Sequence, residues 1–299
     1  MRIAITGASG LIGSALCRAL EGDGHAVVRV VRHPGAAGSV HWAIDRNQID
    51  AAGLEGLDGV VHLAGEGIGD KRWSTAQKRK ILESRRQGTT LLAETLATLS
   101  TPPPVLVSGS AIGFYGDRGD EQLTEASAAG SGFLTEVAQA WEGATAAATA
   151  SGIRVAMIRT GIVLAHDGGA LARMASIAKL GALGKLGSGR QWMSWIALED
   201  EVRAIQFLLR RDISGPVNLT APSPVTNAVF TKALGRVLHR PTVLPIPGFG
   251  PKLLLGSELA SALLLEGQRV LPEVLLDAGF EFRYDDLETA LASILDREG

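Results

Sequence analysis

The chain has 299 residues, 46% of them hydrophobic, and a formal net charge of -2 from 29 basic and 31 acidic side chains. That length can bury a large core, in one α/β domain or in a large domain with a smaller lobe. The near-balanced charge gives no electrostatic reason to expect nucleic acid or an anionic membrane as partner, and the single cysteine, Cys17, excludes an internal disulfide and a cysteine-built metal site.

Residues 2–6, Arg-Ile-Ala-Ile-Thr, form an apolar run that predicts a strand buried on both faces, as in a parallel sheet. The run leads into Thr6-Gly7-Ala8-Ser9-Gly10-Leu11-Ile12-Gly13, with glycines at the spacing T-G-x-x-G-x-x-G. Gly7 and Gly10 permit a tight turn and a close backbone approach to a phosphate, while Gly13 lets the next helix pack on the strand. That helix, from about Leu11 to Gly22, points its first amides at an anion. A second strand at Ala26–Val31 completes the order that a nucleotide-binding βαβ unit requires. The spacing resembles that of the extended short-chain dehydrogenase/reductases rather than the tighter G-x-G-x-x-G. The resemblance implies a doubly wound parallel sheet, the Rossmann fold, with Thr6, Gly7, Ser9, Gly10, Leu11, Ile12 and Gly13 at the cofactor.

Arg32 follows the second strand, where an Asp or Glu would accept from the ribose hydroxyls of the unphosphorylated cofactor. An arginine there pairs with a 2′-phosphate, so NADP(H) is the expected cofactor; a plain surface arginine is the alternative. After a short strand near Val40–Trp42, Leu57–Gly65 reads as a buried strand ending in small residues, with Leu63, Ala64 and Gly65 beside the cofactor. It resembles the H-L-A-A element of the short-chain family, and His62 reads as a core histidine. Ser74 caps a long helix through about Thr98. Its Lys78, Arg79, Lys80 and Arg86 read as a solvated face, a basic lining for an anionic substrate being the alternative. In the extended family the matching N-x-x-G-T segment sends its Asn into the active site. Here it reads Arg85-Arg86-Gln87-Gly88-Thr89, which puts Arg85 in that place, at the cofactor.

Past Pro102-Pro103-Pro104 a strand at Val105–Val107 ends in Ser108-Gly109-Ser110-Ala111, followed by Phe114-Tyr115-Gly116. This resembles the family's serine-rich strand end and V-Y-G element, with Ser110 in the place of the catalytic serine and Ser108 beside the cofactor. An irregular loop, 117–132, leads to one helix from Phe133 to about Thr149. The next strand, Ile153–Ile158, continues through Arg159, another expected cofactor contact, towards Leu164. Arg190, Gln191, Trp192 and Trp195 suit a substrate-pocket wall or a core corner equally. After Gly215 come a short strand at 216–219, a turn feeding a helix to Leu238, a strand near Val243 and the punctuated Pro245–Phe249. Leu253 to Val270, interrupted by Glu258, Glu266 and Arg269, reads as a buried or interfacial helix rather than a membrane span. The expected division is a mainly Rossmann region, 1–215, with pocket-forming insertions around 162–198, and a smaller substrate-side lobe, 216–299. A chain that opens on a core strand carries no signal peptide in this reading, and the cytoplasm is the default compartment.

Short-chain dehydrogenases use Y-x-x-x-K, whose tyrosine exchanges a proton with the substrate oxygen while the lysine lowers its pKa. The matching positions here are Phe133 and Val137, neither of which moves a proton, and the only tyrosines are Tyr115 and Tyr284. That loss, with Trp192-Met-Ser-Trp-Ile196, the segment Pro216–Asn227 and the tail from Leu264 to Tyr284, resembles the atypical "epimerase-family" proteins of the short-chain superfamily. The resemblance implies NADP(H) more strongly than any substrate. One functional reading is an oxidoreductase or epimerase for a small polar, sugar-like molecule. In it Ser110 bonds the reacting oxygen, Tyr115 or Glu136 replaces the missing acid/base, and Arg85 is the cation acting on Tyr115. The other is a non-catalytic NADP(H)-binding sensor or scaffold. Monomer and homodimer both stay open, the helices from Ser74 and Phe133 being the family's usual dimer contact.

Overall fold

The computed structural model describes residues 1–33, 38–179, 183–242 and 246–296. In chain order, β1 (Arg2–Thr6) and α1 (Leu11–Gly22) precede β2 (Ala26–Val31), β3 (Val40–Ala43), β4 (Gln48–Ile49) and β5 (Gly59–His62). Next come α2 (Thr75–Ala97), β6 (Val105–Ala111), β7 (Gln122–Leu123), α3 (Phe133–Gly143), α4 (Ala146–Ala150) and β8 (Arg154–Thr160). The chain then forms β9 (Ile162–Ala165), α5 (Gly169–Lys179), β10 (Trp192–Met193), β11 (Trp195–Ala197), α6 (Leu198–Arg210) and β12 (Gly215–Leu219). It ends with β13 (Val225–Thr226), α7 (Asn227–Val237), α8 (Phe249–Leu255), α9 (Ser257–Ala260), β14 (Arg269–Val270), α10 (Glu273–Asp277) and α11 (Leu287–Leu295).

Eight strands form the main sheet in the order β12-β8-β6-β5-β1-β2-β3-β4, parallel throughout except for the β3–β4 pair. The strand order reverses at β1, so the crevice beyond the carboxyl ends of β1 and β5 is where such a sheet binds ligands. Alternation of side chains across the pleat builds a core on each face. Ile3, Ile5, Val105 and Val107 pack with Leu16 and Leu20 of α1 and Ile205 and Leu208 of α6. Ala4, Val28, Val60 and Leu106 pack on the other side with Leu92 and Leu96 of α2.

A further core joins Leu164, Leu171 and Trp195 to Phe230 and Leu234 of α7 and to Leu287 and Leu291 of α11. The smaller lobe is therefore built jointly from the 162–198 insertion and the C-terminal helices. Gly215–Leu219 does not belong to it: β12 pairs parallel with β8 and closes one edge of the main sheet. Its Pro216 is tolerated because an edge strand needs no donor on its outer side.

Two expected helices are broken. The run 133–149 divides between α3 and α4, where the Thr145 hydroxyl donates to the Glu142 carbonyl at 2.8 Å and competes with the helical ladder. The apolar stretch from Leu253 is divided at Gly256, φ 94°, and leaves Leu253 80% exposed, so it is not one buried helix. The strand expected near Val243 lies outside the described residues. Among the described residues no helix is long and apolar enough to cross a membrane, and no group of three or more His, Cys, Asp or Glu is placed to hold a metal ion.

The junction of β1 and α1 has no room for a side chain. A Cβ on Gly13 would stand 2.2 Å from the Gly7 carbonyl oxygen, and Gly7 itself adopts φ +67°. Gly13→Ala is therefore expected to cost about 1–3 kcal/mol through overpacking. Urea unfolding should show a lower midpoint with an unchanged m-value.

Candidate active site

The cradle beyond β1 is assembled by Thr6. Its Oγ1 accepts from the amides of Leu63 at 3.1 Å and Ala64 at 3.2 Å. With both lone pairs engaged, the hydroxyl proton goes to His62 Nδ1, 2.8 Å away, which leaves His62 protonated on Nε2 and donating to Thr89 Oγ1 at 2.8 Å. Burial pushes the His62 pKa down to about 4, with Arg85 adding to the effect, so this is the neutral core histidine that the strand pattern implies. A Cβ on Gly7 would come within 2.9 Å of the Leu63 carbonyl carbon, so the glycine turn sits directly against the end of β5. Among the described residues no side chain caps α1 at Gly10, and the first-turn amides have no intrahelical acceptor. Those free donors, with exposed Ser9 beside them, fit a diphosphate. Arg32 is exposed at the end of β2, where its carbonyl accepts from His41 Nε2 at 3.1 Å. The cradle and the cation together fit a 2′-phosphorylated dinucleotide.

Arg85 closes the Gly65 side of the crevice. Its Nη1 donates to the carbonyls of Glu66 at 2.9 Å and Ile81 at 3.1 Å, and its Cζ lies 4.7 Å from the Trp141 ring centroid. Burial lowers its pKa to about 10, partly offset by Glu66, so it stays cationic at neutral pH. Ser108 Oγ and Trp141 Nε1 are buried with no partner among the described residues.

The cation beside Tyr115 is Arg159 and not Arg85. Arg159 is 4% exposed and grips Glu142 with Nε to Oε1 at 2.8 Å and Nη2 to Oε2 at 2.9 Å. Its Nη1 donates to the Tyr115 hydroxyl at 3.0 Å, and its Cζ stands 3.4 Å from the Phe114 ring centroid. Burial pulls the arginine's pKa down, but the bonds to Glu142 and Tyr115 outweigh it and the net shift is upward. Tyr115 is fully buried and donates to Asn218 Oδ1 at 2.7 Å. Burial raises its pKa despite Arg159 and Asn218, which makes it a structural tie and a poor acid/base. Ser110 is 5% exposed and donates to Glu142 Oε1 at 2.6 Å.

The remaining expected residues do not converge. Arg159 is bonded into this network through Glu142 and Tyr115. Glu136 is exposed on the first turn of α3. Arg190 is exposed, while the Gln191 amide donates to the carbonyls of Leu186 and Leu264. The Trp192 indole donates to Asp120 at 2.8 Å with Arg269 Cζ 4.6 Å from its ring centroid, but Trp195 is fully buried and donates to the Ser223 carbonyl. The four therefore form no single wall; Trp195 belongs to the lobe core. Glu142 was missed by the sequence reading. The available signal was a charge at the buried end of α3, one residue after Trp141, matched by an arginine inside an apolar strand. Deeper still, Glu201 of α6 is fully buried, accepts from Thr160 Oγ1 at 2.8 Å and leaves Oε2 unpartnered among the described residues.

The family model described as "NAD dependent epimerase/dehydratase family" matches residues 3–219, and a domain of unknown function, DUF1731, matches residues 246–294. The chain is 44% identical over 299 residues to an epimerase family protein of Mycobacterium bovis, covering 99% of this chain and 98% of that one. It is 36% identical over 302 residues to the epimerase family protein YfhF of Bacillus subtilis, covering 99% and 98%. Among solved structures, human epimerase family protein SDR39U1 (isoform 2) with NADPH matches at a TM-score of 0.91 and 32% identity, over 99% of both chains. A nucleoside-diphosphate sugar epimerase from Corynebacterium glutamicum matches at 0.81 and 40% identity, over 100% of this chain and 59% of that one.

Burial raises the Glu201 pKa from 4.5 to about 8, the Thr160 hydrogen bond opposing it. The folded state thus binds this proton more tightly than the unfolded chain does. The resulting stability is complete below the unfolded pKa and is lost as pH rises towards about 8. Relative to wild type, Glu201→Gln should gain stability progressively across that window and level off above it, as read by urea unfolding at several pH values.

Proposed function

The chain belongs to the NAD dependent epimerase/dehydratase family, and from that membership we propose an NADP(H)-dependent oxidoreductase or epimerase acting on a small polar, sugar-like substrate without the usual tyrosine–lysine pair. The uncapped glycine cradle with Arg32 at the ribose end supports the cofactor, as does likeness to a human relative solved with NADPH. When bound, the nicotinamide supplies hydride exchange.

The Ser110–Glu142 bond carries the chemical reading. Because Ser110 gives its own proton to Glu142, its oxygen faces a ligand as an acceptor. It therefore recognises a substrate hydroxyl more readily than it donates to a carbonyl oxygen. In the oxidising direction Ser110 takes the hydroxyl proton as its own passes to Glu142, and Arg159 holds that carboxylate in place through two bonds. Phe133 and Val137 add no proton-transfer group, and Val137 is buried. That observation favours a second reading, a binding protein that senses NADP(H) without turnover.

Calorimetry with both cofactors tests the first step. One charge-assisted contact to the 2′-phosphate is worth about 1.5–3 kcal/mol, so NADPH should bind about 10- to 150-fold more tightly than NADH. Arg32→Ala should bring the two close to parity, and equal affinities in the wild type would remove the cofactor assignment. For the chemistry, small hydroxy and sugar compounds are screened for NADP⁺ reduction, followed by Ser110→Ala on any hit. Turnover should fall about 10²-fold with NADPH affinity kept within a few fold. A rate that survives the change rejects Ser110, and a screen without hits favours the sensor.

A further inference from the structure

Lys78 reads in the sequence as one of several solvated cations on α2, but it is set apart by what surrounds it. Its Nζ stands 4.6 Å from the ring centroid of Phe133, the residue at the position of the family's tyrosine. Trp73 packs edge-to-face with the same phenyl ring at 4.9 Å between centroids. From the C-terminal lobe, Glu258 of α9 reaches across to Lys78 at 2.5 Å. Nearby, Arg72 donates to the Leu253 carbonyl at 3.0 Å, so the segment containing α8 and α9 lies across this edge of the crevice.

We propose that Lys78 is a substrate subsite for a carboxylate, and that Glu258 is the protein's own occupant of it. The inference rests on the cofactor-dependent reading above and adds a substrate class, a hydroxy or sugar acid. Three observations carry it. Lys78 lies at the fourth residue of α2, near the positive end of the helix dipole, and the first turn contains no acidic residue to compensate. A cation there gains its compensation from Glu258, on the other lobe. The pair is exchangeable: its side chains are 31% and 53% exposed, and such ion pairs contribute only about 0–1 kcal/mol. The Phe133 ring, itself packed by Trp73, shields one side of the ammonium, which leaves a carboxylate as the group that best completes its hydrogen bonds. A substrate carboxylate taking the seat of Glu258 would keep the Lys78 pairing and place the rest of the molecule over Phe133.

The test uses gluconate and its neutral counterpart sorbitol, titrated into the full chain with and without NADPH. Wild type, Lys78→Ala and Glu258→Gln are compared, with NADPH affinity measured separately in each. Gluconate should bind more tightly than sorbitol. Lys78→Ala should weaken gluconate about tenfold and leave sorbitol unchanged, as for loss of one charge-assisted bond. Glu258→Gln should tighten gluconate about two- to fivefold, because the competing carboxylate is gone. A purely structural ion pair gives no such opposite signs, since losing either partner breaks the same contact. Gluconate affinity unchanged by Lys78→Ala, no preference over sorbitol, or no binding of gluconate to Glu258→Gln overturns the proposal. Failure of the wild type to bind NADPH instead counts against the cofactor reading, and the titration without cofactor separates the two.

Discussion

The Arg159–Glu142 ion pair constrains everything around it. A guanidinium that is 4% exposed and a carboxylate that is 11% exposed have little water to solvate them, and removing one partner from such a pair typically costs about 3–5 kcal/mol. The neighbours are chosen accordingly. Ser110 supplies a further donor to Glu142, Tyr115 accepts the arginine's remaining nitrogen, and Phe114 offers its ring face to the cation. The pair thereby fixes β6, α3 and β8 relative to one another at the carboxyl end of the sheet. Asn218 extends the chain of bonds to β12 and donates to the Leu271 carbonyl, so the C-terminal segment is registered to the same point. Glu125 reinforces the joint by accepting from the amides of Asn218 and Val274.

The start of α3 carries apolar Phe133 and buried Val137, while the polar side chains of this region are joined to Glu142 near the far end of the same helix. Ser110, 5% exposed, ends one arm of this network through its bond to Glu142. Tyr115 is saturated by Arg159 and Asn218 and held with a raised pKa, so the one tyrosine near the site stabilises the fold and is withdrawn from chemistry.

The parts of the fold that the sequence disclosed are those in which backbone constraint and burial act locally. The glycine turn after β1 is legible because Gly7 and Gly13 admit no substituent, and β1, β5, β6 and β8 are legible because strands covered on both faces are continuous apolar runs. The short strand at 216–219 was legible too, but its place was not: only its pairing with β8 assigns it to the edge of the main sheet and not to the smaller lobe. The break after Gly143 turns on one hydroxyl at Thr145, and the exposure of Leu253 depends on a lobe assembled from distant segments. In the site, the glycine turn after β1 is local and was readable. The partnership of Arg159 with Glu142 spans 17 residues and requires both the β8 register and the rotation of α3. Trp192 and Trp195 are alike in the sequence, and only their partners, Asp120 and the Ser223 carbonyl, separate an exposed contact from a core side chain.

The two boundaries of the smaller lobe differ in strength, and that difference locates the deformable edge of the crevice. Where the lobe joins the sheet domain through β9, β11 and α6, it is sealed by fully buried Trp195, Leu164 and Phe230. Separating those side chains would expose apolar surface at about 25 cal/mol per Å². Across the edge formed by residues 66–78 the described contacts include exposed ones: Lys78 with Glu258, Arg72 with the Leu253 carbonyl, and Asp70 with Arg173 at 3.5 Å. Each surface pair contributes at most about 1 kcal/mol. The Lys78–Glu258 pair on this edge is therefore separable at small cost, while the inner network anchored on Arg159 keeps its geometry.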